Sequence, residues 1–461
     1  MKKTLLLIAP PVLFGQRWWA NRLANKPHLA SLAGVVRELA QVETLELDLV
    51  AGEPEGPLLA EVERAISALR LEANRERAPL GLVGISCWTS LQYLGSLAVA
   101  RRVRELAPDV PIVIGGHHAT ACPHDFDLAT CDFLVRNDGE LPLRKLCTEW
   151  PARPASMQIL EGGVYDQSNP DTIDWKNYGR PGERARALWL GTSRGCAFKC
   201  HFCVEPERGA SYSRFPVSAT LDILERLVET HGPRVIAFSD PLFGSNRRWL
   251  EEFLDGLERR SLPLMFWCET RCDLMTPALL EQFKRCNFMV DFGLDTGSET
   301  MASRMEKATL PKRYLESARA TFTEANRIGL PHGIYLVFNF PGETPETTQE
   351  TMRFVTNLDS GNGPLAGWLS CQTFFILPGT PAWSRMAQNA KRYGTEIANL
   401  DWWKREGDHY ALATAVLPSA DFKGREQELA FFQGWNHAIN ALWTSRYTQE
   451  VRTFRERFYT G

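Results

Sequence analysis

The sequence predicts an α/β protein built from two successive βα series with a helical tail. Three observations carry this. Short apolar runs alternate with amphipathic stretches through the first 150 residues, a second alternation with six strand-like runs starts at Ala187, and the pattern stops near Met386. Alternation of this kind produces βαβ units and parallel sheets, whose strands are buried on both faces and therefore read as continuous apolar runs.

The strand-like runs of the first series are Thr4 to Ala9, Val42 to Leu49, Gly81 to Ser86, Ile112 to Ile114 and Phe133 to Val135. Leu29 to Leu39 and Leu91 to Leu106 carry helical periodicity between them. The expectation is a doubly wound, Rossmann-like domain over 1–150 with ligands at the carboxyl ends of its strands. Three strand-end loops stand out: Ser86-Cys87-Trp88-Thr89-Ser90, Gly115-Gly116-His117-His118-Ala119-Thr120, and Arg136-Asn137-Asp138-Gly139-Glu140. Glycines at such a place let the backbone approach a bulky group, although Gly-Gly-His alone also reads as an ordinary strand-to-helix turn.

Residues 151–186 are rich in Pro, Gly, Asn and Asp and read as a linker whose Tyr165, Trp175 and Tyr178 pack between domains. The second series, 187–385, has strand-like runs at Ala187 to Leu190, Val235 to Phe238, Leu264 to Trp267, Phe288 to Gly293, Gly333 to Phe338 and Trp368 to Ile376. Six repeats predict a partial (β/α)6 barrel with its site on the strand-end loops. From 386 to 461 the chain is helical and tryptophan-rich, with Trp402, Trp403, Trp435 and Trp443. Those rings either cap the barrel mouth on the substrate side or pack a small helical subdomain onto the barrel.

A chain of 461 residues suits two to four domains, and a net charge of −3 argues against a nucleic-acid partner held by broad phosphate neutralisation. Eleven cysteines, three of them clustered, do not form a disulfide pattern and fit a reducing cytoplasm. The amino terminus MKKTLLLIAP has too short an apolar run for a signal peptide and reads as a first buried strand. No segment approaches the ~20 apolar residues of a membrane span, so a soluble, cytoplasmic protein without a membrane partner is expected.

The chemistry concentrates at Cys196, Cys200 and Cys203, a Cys-x3-Cys-x2-Cys spacing within eight residues. Structural zinc and ferredoxin-type clusters take four protein ligands, so three thiolates imply a metal centre with one open position. A zinc knuckle with His201 as fourth ligand is the alternative.

The spacing resembles the signature of the radical S-adenosylmethionine (SAM) superfamily. There, three cysteines hold a [4Fe-4S] cluster, SAM chelates the fourth iron, and an aromatic residue before the last cysteine, here Phe202, lies near the adenine. The resemblance extends along the barrel loops. Gly293-Leu294-Asp295-Thr296-Gly297-Ser298-Glu299 followed by Met305-Glu306-Lys307 is similar to the family's G-x-E-S-G-S-E with its later lysine, and Phe340-Pro341-Gly342-Glu343-Thr344 and Pro378-Gly379-Thr380-Pro381 match its P-G-E-T and P-G-T-P turns. SAM brings an ammonium, a carboxylate and ribose hydroxyls, which call for acceptors, a cation and small residues. The strand-end candidates for SAM are Phe202, Asp240, Arg271, Asp295, Thr296 and Asn339.

The first domain resembles the cobalamin-binding domain that precedes many radical SAM domains, with its GG-x-H-A-T strand end and later G-E-G-E loop. The resemblance implies a corrinoid across the strand ends, its nucleotide tail near Gly115 and Gly116, with Ser86, Trp88, His117 and Glu140 as further contacts. Asn137-Asp138 replaces the usual Gly-Glu, and no Asp-x-His-x-x-Gly occurs, so no histidine is expected to ligate cobalt from below. A flavodoxin-like module without cobalamin is the alternative.

Together these imply a cobalamin-dependent radical SAM enzyme with a [4Fe-4S] cluster, SAM and cobalamin as cofactors. Its expected activity is methyl transfer to an unactivated carbon of a small molecule or peptide, through a 5'-deoxyadenosyl radical and methylcobalamin. An electron donor such as flavodoxin or ferredoxin is the implied partner. Cyclisation, rearrangement or oxidation without methyl transfer, and a non-catalytic corrinoid-binding or electron-transfer role, are the alternatives. A methylthiotransferase is disfavoured because the first domain has no second cysteine triad.

Overall fold

A computed structural model describes residues 2–12, 26–47, 55–72, 78–163, 165–166, 168–175, 178, 187–205, 212–359, 365–394, 399–405 and 425–460. The first sheet consists of β1 (Lys3–Ala9), β2 (Ala40–Glu46), β3 (Leu80–Ser86), β4 (Ile112–Gly115), β5 (Phe133–Arg136) and β6 (Gln158–Glu161). All pairings are parallel and the order is β2-β1-β3-β4-β5-β6. β1 is KTLLLIA and buried from Thr4 onward, as a strand covered on both faces requires.

β6 corrects the expected boundary at 150. It pairs with β5 from Phe133↔Gln158 to Arg136↔Glu161, so the sheet runs into the segment read as linker. Three of its four residues are exposed, which removed the apolar signal by which a strand is recognised. Trp175 and Tyr178 of that segment are buried in the barrel core, and Tyr178 Oη donates to Trp189 O at 2.8 Å. Residues 179–186 of the expected linker lie outside the described residues.

The barrel begins with β7 (Ala187–Leu190). A short antiparallel pair follows, β8 (Ser193–Arg194) with β9 (Ser213–Arg214). Then come β10 (Val235–Phe238), β11 (Met265–Thr270), β12 (Phe288–Asp295), β13 (His332–Phe338) and β14 (Gly367–Thr373). The barrel sheet has the order β14-β13-β12-β11-β10-β7, all parallel, and the two end strands do not pair with each other. Phe238, Phe253, Phe266, Phe288 and Phe292 fill the layer between strands and outer helices.

A second core crosses between the two series. Leu6, Ile8, Val83 and Ile114 of the first sheet share one buried cluster with Met301, Met305, Phe340 and Phe374 of the barrel. Trp402 and Trp403 belong to this cluster, with Trp402 Nε1 donating to Ile376 O at 2.9 Å. Trp443 is buried in the barrel core and Trp435 packs against it. The tail therefore divides between two cores: its rings serve packing, and none of the four lines the large cavity described below. The helix Arg425–Ser445 lies along the edge of β14, where Asn440 accepts from Leu369 N and donates to Leu369 O, both at 2.7 Å. Among the described residues no helix is long and apolar enough to cross a membrane.

Candidate functional site

The cysteine loop leaves β8 at Gly195, whose φ of 81° supports a turn that side chains resist. Cys200 is buried and Cys196 and Cys203 are half-buried. A zinc knuckle would need His201 as its fourth ligand. The His201 ring instead turns to Arg385 Nη1 at 2.7 Å and Glu306 at 3.4 Å. Its backbone anchors the loop, donating to Met305 O and accepting from Ala382 N, both at 2.9 Å.

Burial pushes all three thiols up, Cys203 to about 12, while Arg271 and Lys307 pull Cys196 and Cys200 the other way. A bound metal displaces such protons outright, so soft donors in this setting fit iron and the two nearby cations fit an anionic cluster.

Arg271 is held beside the loop by four contacts. Its Nη1 lies 3.9 Å from Cys200 Sγ, Nη2 donates to Lys307 O at 2.8 Å, the fork grips Asp273, and the guanidinium sits 3.9 Å from the centre of the Phe198 ring. Lys307 Nζ forms a buried 2.5 Å ion pair with Asp295. Asp295 ends β12 with φ 62°, and Asn339 follows β13 with the same value. Left-handed backbone at two neighbouring strand ends marks a sharp change of chain direction there.

The other candidates are more committed to structure. Thr296 Oγ1 pairs with Thr351 Oγ1 at 3.0 Å, and Asn339 N donates to the Glu343 carboxylate. Glu343 precedes Thr344, whose capping box starts the helix Pro345–Thr356, which explains the Pro-Gly-Glu-Thr turn. Phe202 is half-buried and packs against the core shared by the two series. Asp240 is buried and accepts from Thr192 N at 3.0 Å, Thr192 Oγ1 at 2.7 Å and Ser193 Oγ at 2.5 Å. Burial raises its carboxyl even against those donors.

A cavity of about 550 Å³ separates the strand ends of the two sheets. Asp240 lines one wall, and Ser86, Trp88, Gly115, Gly116, His117 and Glu140 line the other. Arg271, Asp295, Thr296, Asn339 and Phe202 do not border it. Trp88 is 48% exposed and stacks on His28, with ring centres 5.4 Å apart and planes 16° from parallel. Gly116 has φ 113° and ψ −177°, and a Cβ there would sit 2.5 Å from Cys87 O. An aromatic floor, glycine strand ends and an open volume fit a flat, bulky corrinoid.

Glu140 lines the cavity and is at the same time engaged by protein groups. It is buried, and its Oε1 accepts from Ser31 Oγ at 2.8 Å and from Arg194 Nη2 at 2.5 Å. Burial would raise its carboxyl, yet the Arg194 charge together with the hydrogen bonds from Arg194, Ser31 and the backbone lowers it.

Three further residues belong to this region, and His28 among them gave no sequence signal of its own. His28 and Arg194 line the cavity, as does Glu269 of β11, whose side chain opens onto it while being enclosed by protein. Burial, then Asp291 and Asp295, push the Glu269 carboxyl up to about 7. Glu269 and Asp291 are register partners on β11 and β12, a pairing visible only once strand alignment is known. The trio His118, Cys122 and Asp125 is an ion-pair cluster: Asp125 is taken by Lys404 at 2.5 Å and Trp403 Nε1 at 2.6 Å.

A six-stranded parallel partial barrel that carries a cysteine loop after its first strands, and whose strand ends share one cavity with those of a doubly wound domain, is an architecture of the cobalamin and radical SAM type; Ser193 and Arg194, just ahead of the cysteines, border that cavity. The family model of the B12 binding domain matches residues 29–147 and that of the radical SAM superfamily residues 190–355. The chain carries a radical SAM domain and, ahead of it, a B12-binding domain. Its cofactors are a [4Fe-4S] cluster, SAM and cobalamin.

A Pyrococcus horikoshii protein named an uncharacterized methyltransferase is 23% identical over 380 residues, covering 77% of this chain and 78% of its own. The anaerobic magnesium-protoporphyrin IX monomethyl ester cyclase of Cereibacter sphaeroides is 24% identical over 283 residues, covering 54% of this chain but 45% of its own length. Among solved structures, the radical SAM methyltransferase TsrM from Kitasatospora setae aligns with TM-score 0.64 and 18% identity over 84% of this chain and 77% of its own, a likeness of fold.

Proposed function

We propose that this chain is a cobalamin-dependent radical SAM methyltransferase acting on an unactivated carbon of a small molecule or peptide. The observation that carries the reading is the shared cavity: the strand ends of both sheets open onto one volume, with the glycine and Trp88 wall on one side and the Asp240 wall, leading to the cysteine loop, on the other. When bound, the cofactors supply one-electron cleavage of SAM and a transferable methyl group.

The protein's part is placement and exclusion of water. Cys196, Cys200 and Cys203 hold the cluster, and Arg271 and Lys307 offset its negative charge. Phe202, Asp240, Asp295, Thr296 and Asn339 shape the SAM side, with Asp240, Thr296 and Asn339 acting mainly by fixing loop backbone. Ser86, Trp88, Gly115, Gly116 and His117 receive the corrinoid, and Glu140 acts through Arg194. Exposed Lys199 and Arg385, flanking His201 next to Cys200, suit an acidic electron donor such as flavodoxin or ferredoxin. A cytoplasmic location agrees with eleven free cysteines.

The test is anaerobic reconstitution followed by turnover with SAM carrying a labelled methyl group. Label in the product supports methyl transfer. Formation of 5'-deoxyadenosine with an unlabelled product would replace it by a cyclisation or oxidation reaction, and no SAM cleavage at all would leave a non-catalytic corrinoid-binding or electron-transfer role.

A further inference from the structure

The segment Thr192-Ser193-Arg194 leads directly into the turn before Cys196, and it is gripped from both sides. From the barrel, Asp240 accepts hydrogen bonds from the Thr192 backbone and from both hydroxyls. From the first domain, Glu140 accepts from Arg194 at 2.5 Å and Asp138 stands 3.5 Å from its Nη1. Ser31 Oγ accepts from Arg194 Nη2 at 3.1 Å, and the Tyr165 ring lies 5.5 Å from the guanidinium.

Asp138 lies in the loop that follows β5, and Glu140 opens the helix Glu140–Glu149 directly after it; both border the cavity. Asp138 is itself fixed, its Oδ2 accepting from Tyr165 N at 2.8 Å. A Cβ on Gly162 would fall 1.7 Å from Asp138 O, so backbone from beyond β6 also packs tightly against this loop. The Arg194 side chain is 19% exposed and that of Glu140 4%. A planar guanidinium bound at several points in a largely dry setting holds direction as well as distance, which a single-point contact would not.

We propose that Arg194 is a positioning residue, one that registers the cluster loop against the corrinoid wall so that filling either site is felt at the other. The inference rests on the assignment of both cofactors made above. Removing Arg194 leaves the buried Glu140 without its cation, and neutralising Glu140 leaves Arg194 only the longer contact to Asp138; either change loosens the segment on one flank, while Asp240 still holds the other.

The experiment measures hydroxocobalamin affinity by absorbance on the full chain, with the cluster reconstituted and without it, for the natural protein and for Arg194→Met and Glu140→Gln. In the natural protein, cluster loading should tighten corrinoid binding about fivefold or more, within the usual range of coupling between sites. In each variant the ratio of the two affinities should fall below about twofold. Taking the ratio on the same variant cancels any general loosening of the first domain, which a purely structural role would produce. If Arg194→Met does not fold, Glu140→Gln decides alone. A natural protein that takes up no corrinoid overturns both this inference and the functional reading. Uptake of both cofactors with no mutual dependence, or variants that keep the natural ratio, overturns the positioning role alone.

Discussion

Gly116→Ala is the sharpest probe of the corrinoid wall. At φ 113° and ψ −177° the residue occupies a region of backbone space that is essentially restricted to glycine, and an L side chain there costs about 1–3 kcal/mol. The added Cβ would also meet Cys87 O at 2.5 Å, where an ordinary carbon–oxygen contact is about 3.3 Å, so one strand end must retreat by about 0.8 Å. That retreat pulls on the bonds joining β3 to β4, since Cys87 N donates to Gly115 O at 2.8 Å and Cys87 O accepts from His118 N at 3.3 Å. A loss of about 3 kcal/mol is expected. Gly115→Ala is the built-in comparison: its Cβ would come no closer than 3.4 Å to Val135 Cβ, so about 1 kcal/mol or less is expected there. Urea unfolding of the chain without cofactors, followed by tryptophan fluorescence, reads both. If the two variants lie within about 1 kcal/mol of each other, the glycine-only geometry of this turn is wrong.

Cys200→Ala should abolish the broad visible absorption of a reconstituted [4Fe-4S] cluster, and retention of that spectrum would remove the loop from the centre. Asp240→Ala should cost about 2–4 kcal/mol in urea unfolding, because a buried backbone N–H and two hydroxyls lose their acceptor; Asp240→Asn, which keeps one acceptor oxygen, should recover part of it. Glu269 yields a pH dependence. Its folded carboxyl is raised to about 7 against an ordinary 4.5, so between those values the unfolded chain releases the proton first and stability falls as pH rises, levelling off above pH 7. Glu269→Gln should flatten that part of a melting-temperature profile, and an unchanged slope would assign it to other groups.

Much of the fold was legible because its strands are buried on both faces. Ile112 to Ile114 and Val235 to Phe238 are apolar runs bounded by turn residues, and no other local structure accounts for them as well. β6 was not legible, since an edge strand reading Gln-Ile-Leu-Glu exposes most of its side chains. The cysteine loop announced itself through spacing within eight residues. The contacts of Glu140 did not, because its partner lies 54 positions away and an ion pair leaves no periodic trace. For the same reason the bonds of Asp240 to Thr192 and Ser193, and of Thr296 to Thr351, leave no mark in the sequence. The tail's tryptophans were ambiguous in sequence, since a ring that plugs a mouth and a ring that fills a core have the same composition.

The side chain of Asn440 carries a consequence for the life of the chain before any cofactor arrives. An open barrel ends in two strands with unpaired peptide groups, and such an edge is a template for pairing with a second copy. The Asn440 amide, with one donor and one acceptor both satisfied by Leu369, imitates the peptide unit of a missing neighbour strand. A nascent chain that has completed β14 but not yet the helix Arg425–Ser445 exposes this edge, so that later helix covers a template for self-association.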